Sequence, residues 1–503
     1  MAFQLLEEFS YFCTLKTESS MRFNSIQFAL FLPIVFLLYW FVFDRFISKS
    51  RHQLRLQNAF VVVASYIFYG WWDWRFLVLI AFTSLCSWGS GLLIGKAETK
   101  KKAKTWMWIN IVLNLGILAL FKYYDFFATE FANLFNLSTD GLLLRIILPV
   151  GISFYTFQAL SYSIDIYQGK IEPTKDIVAF FAFISFFPQL VAGPIERATN
   201  LLPQFLKKRE FNYDNAVDGT RQILWGLFKK IVVADNCATF VDQVFATYPE
   251  QSGSTLFLAA VFFSFQIYGD FSGYSDIAIG TAKLFGIKLM RNFNVPYFSR
   301  DIAEFWRRWH ISLTTWFRDY VYFPMGGSRV SKAKIVRNTF VIFLVSGFWH
   351  GANWTYIAWG AYHAILFLPL ILLGKNRKYR NIVAEDRFLP TIKECFQMSL
   401  TFLLVVLGRV LSRSRSIGQA WEYFCGMCNE SLFSKPFMYV GTKKTMLLIA
   451  MMMVIEWVTR KKEHALQYGP KIPSWLAWIF SAAIVLIILE YGGNSQSFIY
   501  FQF

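Results

Sequence analysis

Two histidines stand in places where an imidazole is unusual. His350 lies inside the apolar stretch from Phe340 to Gly360, and His310 follows a tryptophan in an aromatic and basic segment. An ionisable side chain at membrane depth costs free energy, so its position predicts a functional role. An imidazole with an ordinary pKa of about 6.5 can accept a proton from a hydroxyl at neutral pH. That chemistry suits acyl transfer to an alcohol.

Small residues surround His350. Gly347 precedes it, and Gly351 and Ala352 follow it, so the backbone can unwind or be approached closely around the ring. This pattern favours a substrate channel, and the alternative is a packed core histidine that donates to a carbonyl. His363 is predicted to be such a core residue, whereas His52 and His464 lie in basic loops and are predicted to be on the surface.

Residues 301–320 predict one amphipathic helix in the headgroup region, because their apolar residues recur at about 100° per residue. The apolar stripe comprises Ile302, Phe305, Trp306, Trp309, Leu313, Trp316 and Tyr320. The polar face comprises Glu304, Arg307, Arg308, Arg318 and Asp319, with Glu304 and Arg308 at the spacing of an ion pair. His310 falls on the border, either as a reactive group or as a residue that only forms a hydrogen bond.

A glycine-containing turn, Phe323 to Ser328, follows that predicted helix. Gly326 and Gly327 allow backbone conformations that side chains disfavour. The turn is therefore expected to bring backbone amides and Arg329 to a phosphate or a carbonyl.

Three carboxylates, Asp165, Asp270 and Asp276, lie within apolar runs beside polar neighbours. They predict a hydrated cavity, and they would also fit a transporter whose coupling ion is carried at mid-membrane. Structural pairing with a base such as Arg197 or Arg291 is the other interpretation. These residues alone do not decide between an enzyme and a carrier.

The elements that must position these groups are predicted to be membrane helices. The chain has 503 residues, of which 55% are hydrophobic and 19% aromatic, and several apolar runs approach the length of about 20 residues that crosses a bilayer. The sequence predicts an all-α, polytopic membrane protein with eleven to thirteen segments, some short or re-entrant. The runs are at 25–44, 58–72, 75–95, 107–124, 146–168, 177–193, 218–235, 255–285, 335–350, 354–374, 396–412, 443–458 and 474–490.

The net charge of +18 comes from short basic clusters between apolar runs. This is the positive-inside pattern, so nucleic-acid binding is not expected. The clusters at 45–55 and 96–104 are predicted to be cytoplasmic, with the amino terminus outside. Residues 1–20 are interpreted as an extension without a signal peptide, with Met21 as the alternative start, preceding a single membrane domain at 21–503. No metal site is predicted, because Cys425 and Cys428 have no second ligand pair.

Two stretches resemble the signature sequences of the membrane-bound O-acyltransferase family: Glu304 to Gly327 (EFWRRWHISLTTWFRDYVYFPMGG) and Val345 to Ala352 (VSGFWHGA). Three further stretches are similar to the alginate-acetylating branch of that family. They are Leu148 to Gln158 (LPVGISFYTFQ), Phe187 to Ile195 (FPQLVAGPI) and Tyr268 to Asp276 (YGDFSGYSD). The resemblance covers a core of about residues 145–365.

The resemblance implies a funnel-shaped helical bundle in a bacterial inner membrane, with His350 as the catalytic residue and His310 as a second important one. It implies a cytoplasmic donor, expected to be acetyl-CoA with no bound cofactor, and an extracytoplasmic glycan that receives the acyl group directly or through a periplasmic acetyltransferase. D-alanine transfer to teichoic acid is the alternative acyl chemistry. Supporting or channel residues are expected among Trp349, Gly351, Asn353, Arg307, Arg318, Asp319, Gly326, Gly327, Asp270 and Asp276.

The residues themselves also allow two other classes of function. A polysaccharide or lipid-linked sugar transporter would use the three carboxylates as coupling groups. A scaffold for a glycan synthase would tolerate replacement of both histidines.

Overall fold

The computed structural model describes residues 21–47, 50–191, 193–469, 472–493, 496, 498 and 499. The described backbone is helical and contains no strand. The predicted extension at 1–20 lies outside the described residues.

In the described part of the chain, ten helices precede residue 210. They are α1 (Ile26–Leu37), α2 (Asp44–Ile47), α3 (Gln53–Asp73), α4 (Arg75–Gly95), α5 (Lys100–Leu118), α6 (Tyr124–Phe135), α7 (Ile152–Tyr167), α8 (Ile177–Ser185), α9 (Phe187–Leu190) and α10 (Ala198–Phe205). Wider π-helical turns join α1 to α2 and α5 to α6, at Leu38–Phe43 and Ala119–Tyr123.

The remaining helices follow residue 212. They are α11 (Tyr213–Leu227), α12 (Asp235–Ala246), α13 (Gly253–Leu284), α14 (Ile302–Arg308), α15 (Ile311–Phe317), α16 (Lys332–His350), α17 (Trp354–Leu372), α18 (Ile392–Arg413), α19 (Ile417–Met427), α20 (Thr442–Val458) and α21 (Ser474–Tyr491). Further π-helical turns lie at Phe228–Ala234 and Arg318–Tyr322, and short 3₁₀ turns lie at Tyr248–Glu250, Pro296–Phe298 and Glu430–Phe433.

Each of the thirteen apolar runs overlaps a helix. In the described part of the chain, seven helical stretches are long and apolar enough to cross a bilayer. They are Ile26–Ile47, Arg75–Gly95, Lys100–Phe135, Gly253–Leu284, Trp354–Leu372, Ile392–Arg413 and Ser474–Tyr491. The prediction of an all-α, multi-pass membrane protein is confirmed, and the central funnel stays a prediction.

The chain forms two compact units. The first comprises Met1–Phe121, Ile147–Ala216 and Ala282–Lys288. Polar side chains hold its apolar helices together: Asn110 of α5 donates to Ser163 of α7 at 2.6 Å and accepts from Ser87 of α4 at 3.0 Å. All three are shielded from water, so these bonds satisfy groups that lipid cannot.

The second unit comprises Lys122–Ile146, Val217–Thr281 and Leu289–Phe503, and it contains both histidines of interest. Its α16 and α17 form an antiparallel pair joined by the short turn at residues 351–353. Glycines permit close approach of the two backbones, because a methyl group at Gly347 would clash with the carbonyl oxygen of Tyr356 and one at Gly360 would clash with that of Phe343. This packing places the end of α16, and therefore His350.

The predicted single helix over residues 301–320 is wrong in one important respect. The backbone leaves the helix at Trp309, and His310 has a left-handed φ of 45° before α15 begins. Part of the polar face is also not solvated, since Glu304 and Arg308 are buried and form the predicted ion pair at 2.8 Å, whereas Arg318 is exposed. Arg300 binds the other oxygen of Glu304 at 3.0 Å, so the buried carboxylate is neutralised from two sides.

Replacement of Gly347 by alanine should destabilise the protein by about 1–3 kcal/mol, because the added methyl group has no space against α17. Gly116→Ala is the matched control, since a methyl group at that helical position meets nothing within 4 Å. The thermal unfolding temperature of each variant in detergent would measure the effect. Equal stability of the two variants would contradict close packing at Gly347.

Candidate active site

His350 is the last residue of α16. Its side chain is 9% exposed, and Gly351 continues in an extended conformation. Asn353 then caps α17 by accepting from the Thr355 amide at 2.9 Å, while its own amide donates to the Arg415 carbonyl at 3.1 Å. The imidazole is therefore held where one helix ends and the next begins.

His310 lies close to His350, although forty residues separate them in the sequence. The two ring centroids are 6.4 Å apart, and the His310 side chain is 1% exposed. Burial lowers the pKa of the His310 imidazole to about 3, so the ring is neutral at physiological pH. The structure thus brings together the two histidines singled out from the sequence.

Aromatic rings enclose the histidine pair. Trp359 of α17 meets the His350 ring edge-on, with centroids 5.1 Å apart. Trp349 lies 6.0 Å from His310, and Phe271 packs edge-on against His310 at 4.6 Å. These rings exclude bulk water and leave the imidazoles as polar groups in an apolar frame.

His363 occupies the core, as predicted. It is 1% exposed and packs edge-on against Trp306 and Trp359, each at 5.0 Å. The prediction for His464 is wrong. That residue is buried, and its Nε2 lies 3.0 Å from an Asp218 carboxylate oxygen, which explains how a histidine from a basic loop can be accommodated inside the protein.

Lys122 was not identified from the sequence, although it is a single cation near the end of an apolar run. Its ammonium donates to the Trp349 carbonyl at 2.6 Å and to the His350 carbonyl at 3.4 Å. The last carbonyls of a helix have no partner within the helix, and the negative end of the helix dipole favours a cation there. Lys122 therefore anchors the end of α16 that carries His350.

A cavity of about 650 Å³ is lined by residues of α14, α15 and α16, and its lining includes neither histidine. One face of α16 forms a wall through Thr339, Ile342, Phe343 and Ser346. Ser346 lies four residues before His350, which places it on the same helix face about 6 Å away. The cavity thus extends to within one helical turn of the imidazole.

Basic residues line the same cavity. They are Arg307, Arg308, Arg318, Arg377 and Arg380. Arg307 donates to the carbonyls of Asn376 and Tyr379, and so ties α14 to the loop that carries Arg377 and Arg380. Burial lowers the pKa of the Arg307 guanidinium, and nearby Asp301 opposes that change, so the group remains a cation at neutral pH.

Of the other predicted site residues, Arg318 and Asp319 lie beside the cavity, whereas Gly326 and Gly327 lie away from His350. Arg318 pairs with Asp319 at 2.6 Å beside the cavity. The Gly326–Gly327 turn lies near the other end of α16 from His350, because the Asn338 amide donates to the Gly327 carbonyl at 3.2 Å. Twelve residues of helix then separate that contact from His350, about 18 Å. The structure therefore does not place the turn amides beside the imidazole.

The intramembrane carboxylates are paired with lysines. Asp270 lies 2.6 Å from Lys230, Asp276 lies 2.6 Å from Lys229, and Asp165 lies 3.3 Å from Lys170. Structural pairing with Lys or Arg was one of the two interpretations of these residues, and Arg291, one of the expected bases, also interacts electrostatically with Asp276. Buried charges of this kind are held by their partners.

Comparison with known proteins gives the family. A match to the membrane-bound O-acyltransferase family covers residues 171–407. The probable alginate O-acetylase AlgI of Pseudomonas aeruginosa is 39% identical over 409 residues, which are 80% of this chain and 73% of that protein. The chain belongs to the membrane-bound O-acyltransferase family. His310 and His350 both lie within the matched residues.

Two further relatives of the acyltransferase differ in what they modify. A peptidoglycan O-acetyltransferase of Helicobacter pylori is 32% identical over 94% of this chain and 95% of its own length. A teichoic acid D-alanyltransferase of Bacillus subtilis is 31% identical over 46% of this chain and 61% of its own length. The names of these relatives all describe the transfer of an acyl group, and the molecules that receive it differ.

Removal of the Lys122 charge should slow acyl transfer by about tenfold or more, because a hydrogen bond from a charged group contributes about 1.5–3 kcal/mol. Lys122→Met keeps the length of the side chain and removes the donor, and Lys122→Arg keeps both a charge and a donor. Initial rates at equal protein in membrane vesicles would compare the two. A wild-type rate in the methionine variant would contradict the anchoring role.

Proposed function

We propose that this acyltransferase moves an acetyl group from cytoplasmic acetyl-CoA to a hydroxyl of an extracytoplasmic polysaccharide. The observation that carries the proposal is the cavity with a basic lining that ends one helical turn from His350. A donor held in that cavity would present its acyl end to a buried base.

The lining of the cavity matches the chemistry of coenzyme A. Arginines bind phosphates through bidentate, charge-assisted hydrogen bonds, and Arg377 and Arg380 lie exposed at the loop end of the cavity. The lining also includes apolar side chains, among them Ile342 and Phe343 of α16 and Phe367 of α17. Phosphates would remain in the basic part while the acyl thioester lies in the apolar part. The Gly326–Gly327 turn precedes Ser328, which lines the cavity, so its amides are assigned to the donor rather than to His350.

The position of His350 along α16 supports transfer across the bilayer. This helix begins at a basic cluster, Lys332 to Arg337, and α17 ends just before another, Lys375 to Arg380. Both clusters are cytoplasmic by the positive-inside rule. α17, the antiparallel partner of α16, is long and apolar enough to cross a bilayer, and its nineteen residues span about 28 Å. His350 would therefore meet an acceptor from the side opposite the donor.

The chemical step requires one base. The His350 imidazole accepts the proton of the acceptor hydroxyl as the oxygen attacks the thioester carbonyl carbon. The carbon–sulfur bond then breaks, and the imidazolium returns its proton to the thiolate leaving group. No net proton is gained or lost. A covalent acetyl-enzyme is an alternative route that no residue at the site requires.

The acceptor is inferred by analogy with relatives. Alginate and peptidoglycan O-acetyltransferases cover most of this chain, which favours acetyl transfer to a glycan over D-alanine transfer to teichoic acid. A periplasmic acetyltransferase would complete the reaction on the polymer if the membrane protein hands the acyl group on. These relatives favour a location in a bacterial inner membrane.

The transporter alternative has weaker support. Its coupling groups would be Asp165, Asp270 and Asp276, but each carboxylate lies within ion-pair distance of a lysine. The third class, a scaffold, does not explain why two signature histidines converge beside a cavity.

Replacement of His350 by alanine should abolish acetylation of the glycan, because His350 is the proposed base for the acceptor hydroxyl. The ester acetyl content of the exported polymer would measure this, with membrane accumulation of the variant as the control for folding. His52→Ala, at an exposed position, should leave acetylation unchanged. Normal acetylation in the His350 variant would refute the assignment, and loss of polymer export would favour the transporter.

Joint replacement of Arg377 and Arg380 by alanine should raise KM for acetyl-CoA by about tenfold or more and leave kcat near wild type, because phosphate contacts are made equally before and during reaction. Lys332 and Lys334, exposed bases that do not line the cavity, supply the matched double variant. Equal KM values for the two double variants would contradict the proposed donor cavity.

A further inference from the structure

Asn292 is a buried amide that lies beside the ring of the second histidine, His310. It is 0% exposed, precedes His310 by eighteen residues and lies outside both signature stretches. We propose that Asn292 is a positioning residue that holds His310 as the tautomer with its proton on Nδ1, so that Nε2 is a hydrogen-bond and proton acceptor.

The amide of Asn292 has one orientation that satisfies its neighbours. Its Oδ1 lies 2.9 Å from the Ser312 hydroxyl and 3.4 Å from the Ser312 backbone N–H. A backbone N–H can only donate, so the atom facing Ser312 must be the oxygen. On its other side, Nδ2 donates to the Ser275 hydroxyl at 3.0 Å. These contacts orient the amide without reference to the histidine.

The oriented oxygen then faces the imidazole. Oδ1 of Asn292 lies 3.1 Å from Nδ1 of His310. Because Oδ1 only accepts, Nδ1 must carry the hydrogen, and a neutral imidazole has one N–H. Deep burial favours that neutral ring. The lone pair is therefore on Nε2.

Backbone hydrogen bonds hold the segment of Asn292 beside that of His310. The Ile311 N–H donates to the Asn292 carbonyl at 2.8 Å, and the Asn294 N–H donates to the Arg308 carbonyl at 2.9 Å. The left-handed conformation of His310 lies between these two bonds, at the break between α14 and α15. Phe271 packs against one edge of the ring and restricts its rotation. The break in the helix thus serves to present the imidazole to Asn292.

This tautomer restricts what His310 can do. A neutral ring with its hydrogen on Nδ1 cannot donate from Nε2 to a developing oxyanion. It can accept a hydrogen bond from an acceptor hydroxyl and orient that hydroxyl toward His350, whose ring centroid is 6.4 Å away. This last step rests on the proposed function, whereas the tautomer itself does not.

Nitrogen-15 NMR of the full-length protein, labelled on histidine and reconstituted in lipid, would test the tautomer directly. The signals of His310 are assigned by their loss in His310→Gln. We expect a protonated Nδ1 and an unprotonated Nε2 in the wild-type protein. A proton on Nε2, or an equal mixture of the two tautomers, would overturn the proposal even if acetylation is intact.

Two variants test the role of the amide. Asn292→Ala should give mixed tautomers and lower kcat by about ten- to hundredfold, as loss of an orienting partner does elsewhere, with KM for acetyl-CoA near wild type. Ser275→Ala removes a neighbour of Asn292 but leaves Ser312 to orient Oδ1, so the wild-type tautomer should persist. An unchanged tautomer in Asn292→Ala would overturn the positioning role. Normal acetylation by His350→Ala would instead defeat the proposed function and leave the tautomer standing.

Discussion

Polar groups buried among apolar helices must find their partners inside the protein, since neither lipid nor packed side chains can supply them. The second unit meets this constraint at each point of the candidate site. Lys122 binds the carbonyls that end α16, Asn292 binds the His310 ring, and Glu304 lies between Arg300 and Arg308. These bonds fix where each imidazole can be, and the proposed reactivity of the pair depends on them.

Much of this arrangement could be predicted from the sequence. Apolar runs gave the helices because membrane helices are continuous in hydropathy, and His350 was recognisable because an imidazole is rare in such a run. The break at Trp309–His310 was not visible, because the apolar periodicity continues through it. A single left-handed residue changes the direction of the chain without changing that pattern.

Other contacts depend on tertiary structure alone. Lys122 and His350 are separated by 228 residues, and neither segment contains a sign of the other. The lone lysine in an apolar run was a signal that could have been followed. Asn292 gave no such signal, because a neutral amide between helices is typical of a loop. The burial of Glu304 was unexpected because the ion pair with Arg308 also fits a solvated helix face.

In the proposed mechanism, the donor phosphates bind toward one end of α16 and the acyl transfer takes place at the other end. The basic part of the cavity lies toward the loops that the positive-inside rule assigns to the cytoplasm, and His350 lies at the far end of the helix. The most direct measurement is a structure of the protein with a non-hydrolysable acetyl-CoA analogue. The account predicts its phosphates at Arg377 and Arg380 and its acyl carbon beside the His350 ring. An analogue bound elsewhere, or one whose acyl end points away from His350, would contradict it.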